Sequence, residues 1–320
     1  MKFTCLIAGL TALLISCTSP LPNKIKGSKP YSKDCKLVVL GNVQDGGSPH
    51  MGCHKKCCKG LFENGNSNRY VVSLGAVDPL ADKQYIFEAS PDFSQQCQML
   101  LSHAKDSSKK IPDGVFLTHA HIGHYTGLMF LGKEALNRSE AAVYTMPKMH
   151  DFLTNNGPWS QLVSNKNIVL NALSAQKELK LTPSLSVTPL VVPHRDEFSE
   201  TVGYIISGPK RKALFIPDID NWEKWDQDIV EWIKEVDYAF IDATFYDAAE
   251  VNHRNIAEIP HPFVIESMEK FKNLTRKEKA RVHFIHFNHT NPLLKHNSRE
   301  SVHVQHEGFN IARQGMEFKL

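Results

Sequence analysis

An α/β fold with mixed sheets is what this chain of 320 residues predicts. Three observations lead there. Short apolar runs rich in β-branched and aromatic residues alternate with helically spaced segments along the chain after residue 35. No glycine-rich phosphate loop interrupts that alternation. Polar residues gather repeatedly at the ends of the apolar runs, and two sheets packed face to face with helices outside would satisfy such a pattern.

The N-terminal stretch stands apart from that fold. Met1-Lys2 is a short basic start, and residues 3–15 are apolar but too short to span a bilayer, so 1–16 read as a signal peptide. Leu14-Ile15-Ser16-Cys17 resembles a bacterial lipobox, which implies cleavage before Cys17 and a lipid on that cysteine. Residues 17–34, with Pro, Ser, Lys and Gly prominent, then form a flexible tether, and 35–320 the folded domain. The expected product is an exported bacterial lipoprotein, anchored to a membrane and facing the periplasm or the cell exterior. An ordinary secretory signal with a chance cysteine is the alternative.

With 42% hydrophobic and 22% charged residues, the chain can form one large domain or two small ones. Its net charge of +3 is too small to argue for nucleic acid, which leaves a small molecule as the expected partner.

In chain order, residues 36–41 form an apolar strand ending in glycine, and 44–50 a loop. Strands follow at 69–74 and 84–87, the second leading into a turn and a helix that begins near Pro91. Residues 114–117 read as a buried strand, 128–136 as a helix and 142–145 as a strand. Further strands fall at 185–192, 201–206 and 213–216. Trp222, Trp225, Ile229, Trp232, Ile233 and Val236 recur at helical spacing, a core-facing stripe. A strand at 238–241, a helix at 262–271, a strand at 282–285 and a hairpin at 308–318 complete the chain.

The chemistry concentrates where the 114–117 strand ends. His119, His121 and His124 fall within six residues there, followed by Tyr125-Thr126-Gly127. Imidazole is the commonest zinc ligand. Residues at i and i+2 leaving a strand can point into one cavity, while i+5 starts the next helix and turns back toward it. Such a loop suits one or two metal ions, the alternative being plain solvated surface. Of seven cysteines, Cys5 lies in the leader and Cys35 and Cys97 stand alone. Cys53, Cys57 and Cys58 are too closely packed for a disulfide framework and suit a structural metal, with oxidation open to an exported protein.

The histidine segment resembles the His-x-His-x-Asp-His signature of the metallo-β-lactamase fold, with Gly123 at the aspartate position. His194 follows an apolar strand as that family's third histidine does. Asp218, after Phe215-Ile216-Pro217, stands at the bridging aspartate, with Asp220 close enough to compete, and His286 stands at the last ligand. A narrower likeness is carried by Gln44-Asp45-Gly46-Gly47, the cysteine cluster, Ala89-Ser90-Pro91-Asp92, the run from Pro193 to Tyr204 and His286-Phe287-Asn288-His289-Thr290-Asn291-Pro292. These segments are similar to pyrroloquinoline-quinone biosynthesis protein B and its relatives over nearly the whole mature chain.

The resemblance implies an αββα sandwich, two mixed sheets flanked by helices. It implies His119, His121 and His194 around one zinc, and His124, His286 and bridging Asp218 around a second, with iron or manganese as other candidate ions. Phosphodiesterases of the superfamily join an N-terminal cysteine cluster to a histidine three residues past the last ligand. Here that residue is His289, which with Cys53, Cys57 and Cys58 would complete a four-ligand structural site, although the relatives space their cysteines as Cys-x-Cys-x-x-Cys. His261, in Ile259-Pro260-His261-Pro262, matches the place of a catalytic histidine in those enzymes and is the candidate general acid; the alternative is an exposed loop histidine.

The activity implied is that of a metal-dependent hydrolase, in which water of lowered pKa attacks an ester, phosphodiester, cyclic ester or lactam, with Asp218 and His261 at the reacting centre. Two alternatives belong to other classes: a cofactor-maturation role with redox or oxygen-dependent chemistry, and a metal-retaining binding lipoprotein without turnover. Glycine at 123 offers no ligand, so the second ion is expected to bind more weakly than the first, unless another residue such as Asp220 takes the place.

Overall fold

Along β1 (Lys36–Gly41) the side chains divide by the strand's period of two. Leu37 and Val39 enter the large apolar layer between two sheets, while Val38 and Leu40 enter a second layer under the helices on the outer face. A strand buried on both faces explains why the run Leu37-Val38-Val39-Leu40 is continuously apolar.

The computed structural model describes residues 34–63, 69–251 and 259–320. The expected leader, the expected lipidation site Cys17 and all but the last residue of the expected tether lie outside them. Among the described residues, no helix is long and apolar enough to cross a membrane.

The first sheet is formed by β1, β2 (Ser73–Asp78), β3 (Lys83–Phe87), β4 (Gly114–Phe116), β5 (Ala141–Thr145) and β6 (Ile168–Ala172). The second is formed by β7 (Leu179–Lys180), β8 (Ser186–Val191), β9 (Val202–Ser207), β10 (Lys212–Ile216), β11 (Tyr238–Asp242), β12 (Val282–Ile285) and β13 (Asn310–Ile311). The last strand, β14 (Glu317–Lys319), returns to the first sheet, giving the orders β14-β1-β2-β3-β4-β5-β6 and β13-β12-β11-β10-β9-β8-β7. Each sheet is an antiparallel meander continued by parallel strands: β3 to β6 run parallel in the first, and β10 to β13 in the second. Aromatic side chains join the two inner faces, Tyr204 lying 5.4 Å from Phe87 and 5.7 Å from Phe116 between ring centres. Helices α1 (Phe93–Leu101), α2 (Ile122–Tyr125), α3 (Pro147–Asn155) and α4 (Trp159–Ser164) follow the strands of the first sheet, and α5 (Ile229–Glu235), α6 (Val264–Lys270), α7 (Arg276–Lys279) and α8 (Arg299–His306) belong to the second half.

Several expected elements differ in extent. The strand expected at 69–74 begins only at Ser73, because the backbone of Val71 is engaged by side chains: its N–H donates to Asp92 (2.8 Å) and its carbonyl accepts from Gln96 (2.6 Å). The helix expected at 128–136 lies earlier. It starts as α2, tightens to a 3₁₀ turn at Thr126–Leu131, and stops where Gly132 is extended. The tryptophan stripe is split between a 3₁₀ turn (Trp222–Lys224) and α5, yet it is buried except at Trp232, which is partly exposed. The expected C-terminal hairpin is absent: β13 pairs with β12 and β14 with β1, so this segment connects the two sheets.

Candidate metal centre

Five of the expected ligands sit just beyond the C-terminal end of a strand. His119 and His121 follow β4, His194 follows β8, Asp218 follows β10 and His286 follows β12. That is the edge where α/β sheets open a crevice. His124 comes from α2, whose single turn brings its ring back within 4.2 Å of His119.

The structure brings these residues into two sets that share Asp218. One comprises His119, His121, His194 and Asp218, and the other His124, His286, Asp218 and Asp45; within each set the ligand atoms lie within 4.8 Å of one another. The carboxylate of Asp218 divides between neighbours, Oδ1 lying 3.3 Å from His194 Nε2 and 3.2 Å from His261 Nδ1, and Oδ2 3.5 Å from His119 Nε2 and 3.7 Å from His124 Nε2. Both Asp218 Oδ1 and His194 Nε2 are buried without a properly directed hydrogen bond. Buried polar atoms are rarely left so, and a cation between them would satisfy both. The donor set therefore fits divalent metal ions.

The outward-facing nitrogens are fixed by a second layer of residues. Thr118 Oγ1 lies 2.9 Å from His119 Nδ1 and donates to Glu88 at 2.6 Å. Thr244 Oγ1 lies 2.8 Å from His286 Nδ1 and donates to Asp242 at 2.7 Å. Each threonine hydroxyl can accept from its imidazole only through an Nδ1–H, which leaves Nε2 free as the ligand atom. Asp220 does the same for His194, at 3.1 Å from Nδ1, and also takes Lys224 Nζ at 2.7 Å. It is therefore an orienting residue and not a competitor of Asp218. Glu88 also lies 3.2 Å from His124 Nδ1, so one buried carboxylate supports a histidine of each set. Glu88 and His286 both have left-handed backbones, with φ of 81° and 68°, a strain that concentrates at functional positions.

The electrostatics follow from burial and these neighbours. Burial, aided by the neighbouring His124, pushes the His119 pKa well down. At His124 burial acts against charge, but the Asp45 and Glu88 carboxylates outweigh it and raise the pKa well above the ordinary value. At Asp218 burial again acts against charge, and His194, His261 and His286 overcome it to hold the carboxyl well below its usual range.

His261 is not an exposed loop residue. Its Nδ1 lies 2.8 Å from Asp242 and 3.2 Å from Asp218, and its ring is 5.5 Å from that of His194. A second cluster lies apart from the histidines: Cys53, Cys57, Cys58 and His289 also place their ligand atoms within 4.8 Å of one another. Two thiolates on a tetrahedral zinc, each at about 2.3 Å, stand about 3.8 Å apart. Cys53 and Cys57 have their sulfurs at 3.7 Å, and all three cysteines are free thiols. The His50 ring stacks on His289 at 4.3 Å, and its backbone N–H donates to Cys58 Sγ.

Residues 83–287 match the model of the Beta-lactamase superfamily domain, which is more than half of the chain. The chain belongs to this superfamily. Coenzyme PQQ synthesis protein B of Gluconobacter oxydans is 26% identical over 302 residues, covering 89% of this chain and 98% of its own. Among solved structures, zinc-bound PqqB from Methylobacterium extorquens superposes with a TM-score of 0.74 at 20% identity, over 89% of this chain and all of that one. A diphosphatase of the PhnP family superposes with a TM-score of 0.60 at 18% identity, over 89% of this chain and 97% of that one. These structures establish the fold of this superfamily member as the metallo-β-lactamase sandwich, with two mixed sheets flanked by helices.

Three acidic contributors to the site were not legible as such. Glu88 and Asp242 lie beside expected strands without any ligand spacing, and Asp45 lies in a glycine-rich loop. A charged residue directly after a fully apolar run was the available signal at Glu88 and Asp242.

Proposed function

We propose that this superfamily member is a zinc-dependent hydrolase with two ions in the histidine pocket, acting on a phosphodiester or cyclic ester in preference to a lactam. The observation that carries the reading is the Asp218–His261–Asp242 arrangement, in which a histidine backed by a buried carboxylate touches the residue shared by both ligand sets. His119, His121 and His194 would hold one ion, and His124 and His286 the other, with Asp218 between them. Ions in that position supply water of lowered pKa and stabilise the negative charge that develops in acyl or phosphoryl transfer.

The chain's own residues do the rest. Asp242 accepts from His261 Nδ1, fixing the ring and favouring its charged form, so Nε2 carries the proton that a departing alkoxide needs. Glu88, Thr118, Thr244 and Asp220 hold the ligand rings in single tautomers, which preorganises the pocket. Protein loaded with zinc, assayed against bis-p-nitrophenyl phosphate, a lactone and a cephalosporin, should turn over the first or second faster than the third. No turnover of any of them would overturn the hydrolase reading.

The relatives' name supports a second reading, a step of cofactor maturation with oxygen-dependent chemistry. Activity restored by iron and not zinc, with oxygen consumed, would favour it.

A further inference from the structure

Gly123 stands where the signature of this fold carries an aspartate, and the reason is a matter of space. Its φ is not in the left-handed region, so the backbone does not itself demand glycine. A Cβ built there would instead fall 2.5 Å from Cγ, 2.6 Å from Cα and 2.7 Å from Cβ of Asp45. The volume of the missing side chain is filled by another aspartate, 78 positions earlier in the chain.

That aspartate is aimed and anchored. Asp45 Oδ1 lies 3.0 Å from His124 Nε2 and 3.2 Å from His286 Nε2, the two nitrogens of the second set. The backbone leading to it is clamped between the sheets: Val43 bridges to both Val71 and Phe287, and the N–H of Gln44 donates to the carbonyl of Phe287 at 2.8 Å. Asn42 adds a buried hydrogen bond to the carbonyl of Ala312. A loop pinned on both sides holds its carboxylate in place far better than a free glycine-rich turn would.

We propose that Asp45 is a ligand of the second metal ion, supplied by the loop after β1 in place of the motif aspartate, and that Gly123 is its steric complement. This rests on the two-ion reading above and deepens it. The second set then has four protein donors, Asp45, His124, Asp218 and His286, and is not the depleted site that Gly123 alone implies.

The test is a zinc titration by calorimetry of the full chain stripped of metal, alongside visible spectra of the cobalt-substituted protein and metal content after dialysis. Wild type should take up two ions in the histidine pocket and retain both. Asp45→Asn preserves shape, and should lower second-site affinity at least 10-fold while leaving the first site and the thiol site filled. Gly123→Asp alone should not tighten the second site, because the new side chain strikes Asp45. The exchange Asp45→Gly with Gly123→Asp should restore binding and the cobalt spectrum toward wild type. Two ions in wild type with unchanged affinity in Asp45→Asn would overturn the proposal alone. A wild-type pocket that holds a single ion would overturn the two-ion reading and the proposal with it.

Discussion

Asp242 Oδ2 lies 2.8 Å from His261 Nδ1, and the same carboxylate, through Oδ1, accepts from Thr244, whose hydroxyl faces His286. One buried acid thus serves both the candidate proton donor and a candidate metal ligand. His261→Ala should lower turnover of bis-p-nitrophenyl phosphate by about 10²–10⁴-fold with metal content unchanged. Asp242→Asn should lower turnover and also loosen metal. Full activity in His261→Ala would remove it from the mechanism.

The thiol site predicts a stability effect without a catalytic one at its origin. A closed four-ligand site contributes folding energy directly, so Cys57→Ala should lower the melting midpoint and remove about one metal equivalent. Equal stability with full metal content would contradict a metal there.

His283 gives a pH signature independent of the site. It lies in β12, 4.8 Å from Phe318 and 5.2 Å from Phe240 between ring centres, and burial pushes its pKa down to about 4. An exposed histidine titrates near about 6.5, so the neutral ring favours the folded chain. That contribution is complete above about pH 6.5 and is lost as pH falls toward the folded value, up to about 3 kcal/mol. His283→Asn keeps a donor for the carbonyl of Arg281 and cannot titrate. Its stability should therefore fall less than that of wild type between pH 7 and pH 5 in denaturant melts, and parallel losses would contradict the assignment.

Much of the site could be read before the fold was known, because its ligands are short-range features. His119, His121 and His124 announce themselves by spacing, and His194, Asp218 and His286 by following apolar strands. Long-range features could not be read in the same way. Nothing local to Asp45 says that it fills the space beside Gly123, since three strands and a helix lie between them in the chain. The same limit explains the C-terminal segment, where residues 308–318 carry a hairpin pattern but find partners in two different sheets. At 69–74 the β-like composition extends past the true strand, because Asp92 and Gln96 capture the backbone of Val71.

The lipobox reading makes Cys17 the residue that retains the chain at a membrane. Cys17→Ala should release the protein from the membrane fraction or stall its processing. Normal maturation with unchanged retention would defeat that reading.

The proposed placement of Asp218 between two metal ions is open to direct observation. Anomalous scattering from crystals of the full chain, purified without added metal and measured on both sides of the zinc edge, addresses it most directly. Two peaks are expected about 3.5–4 Å apart flanking the Asp218 carboxylate, the outer one touching Asp45, with a third peak among Cys53, Cys57, Cys58 and His289. A single peak in the histidine pocket, or none beside Asp218, would contradict it.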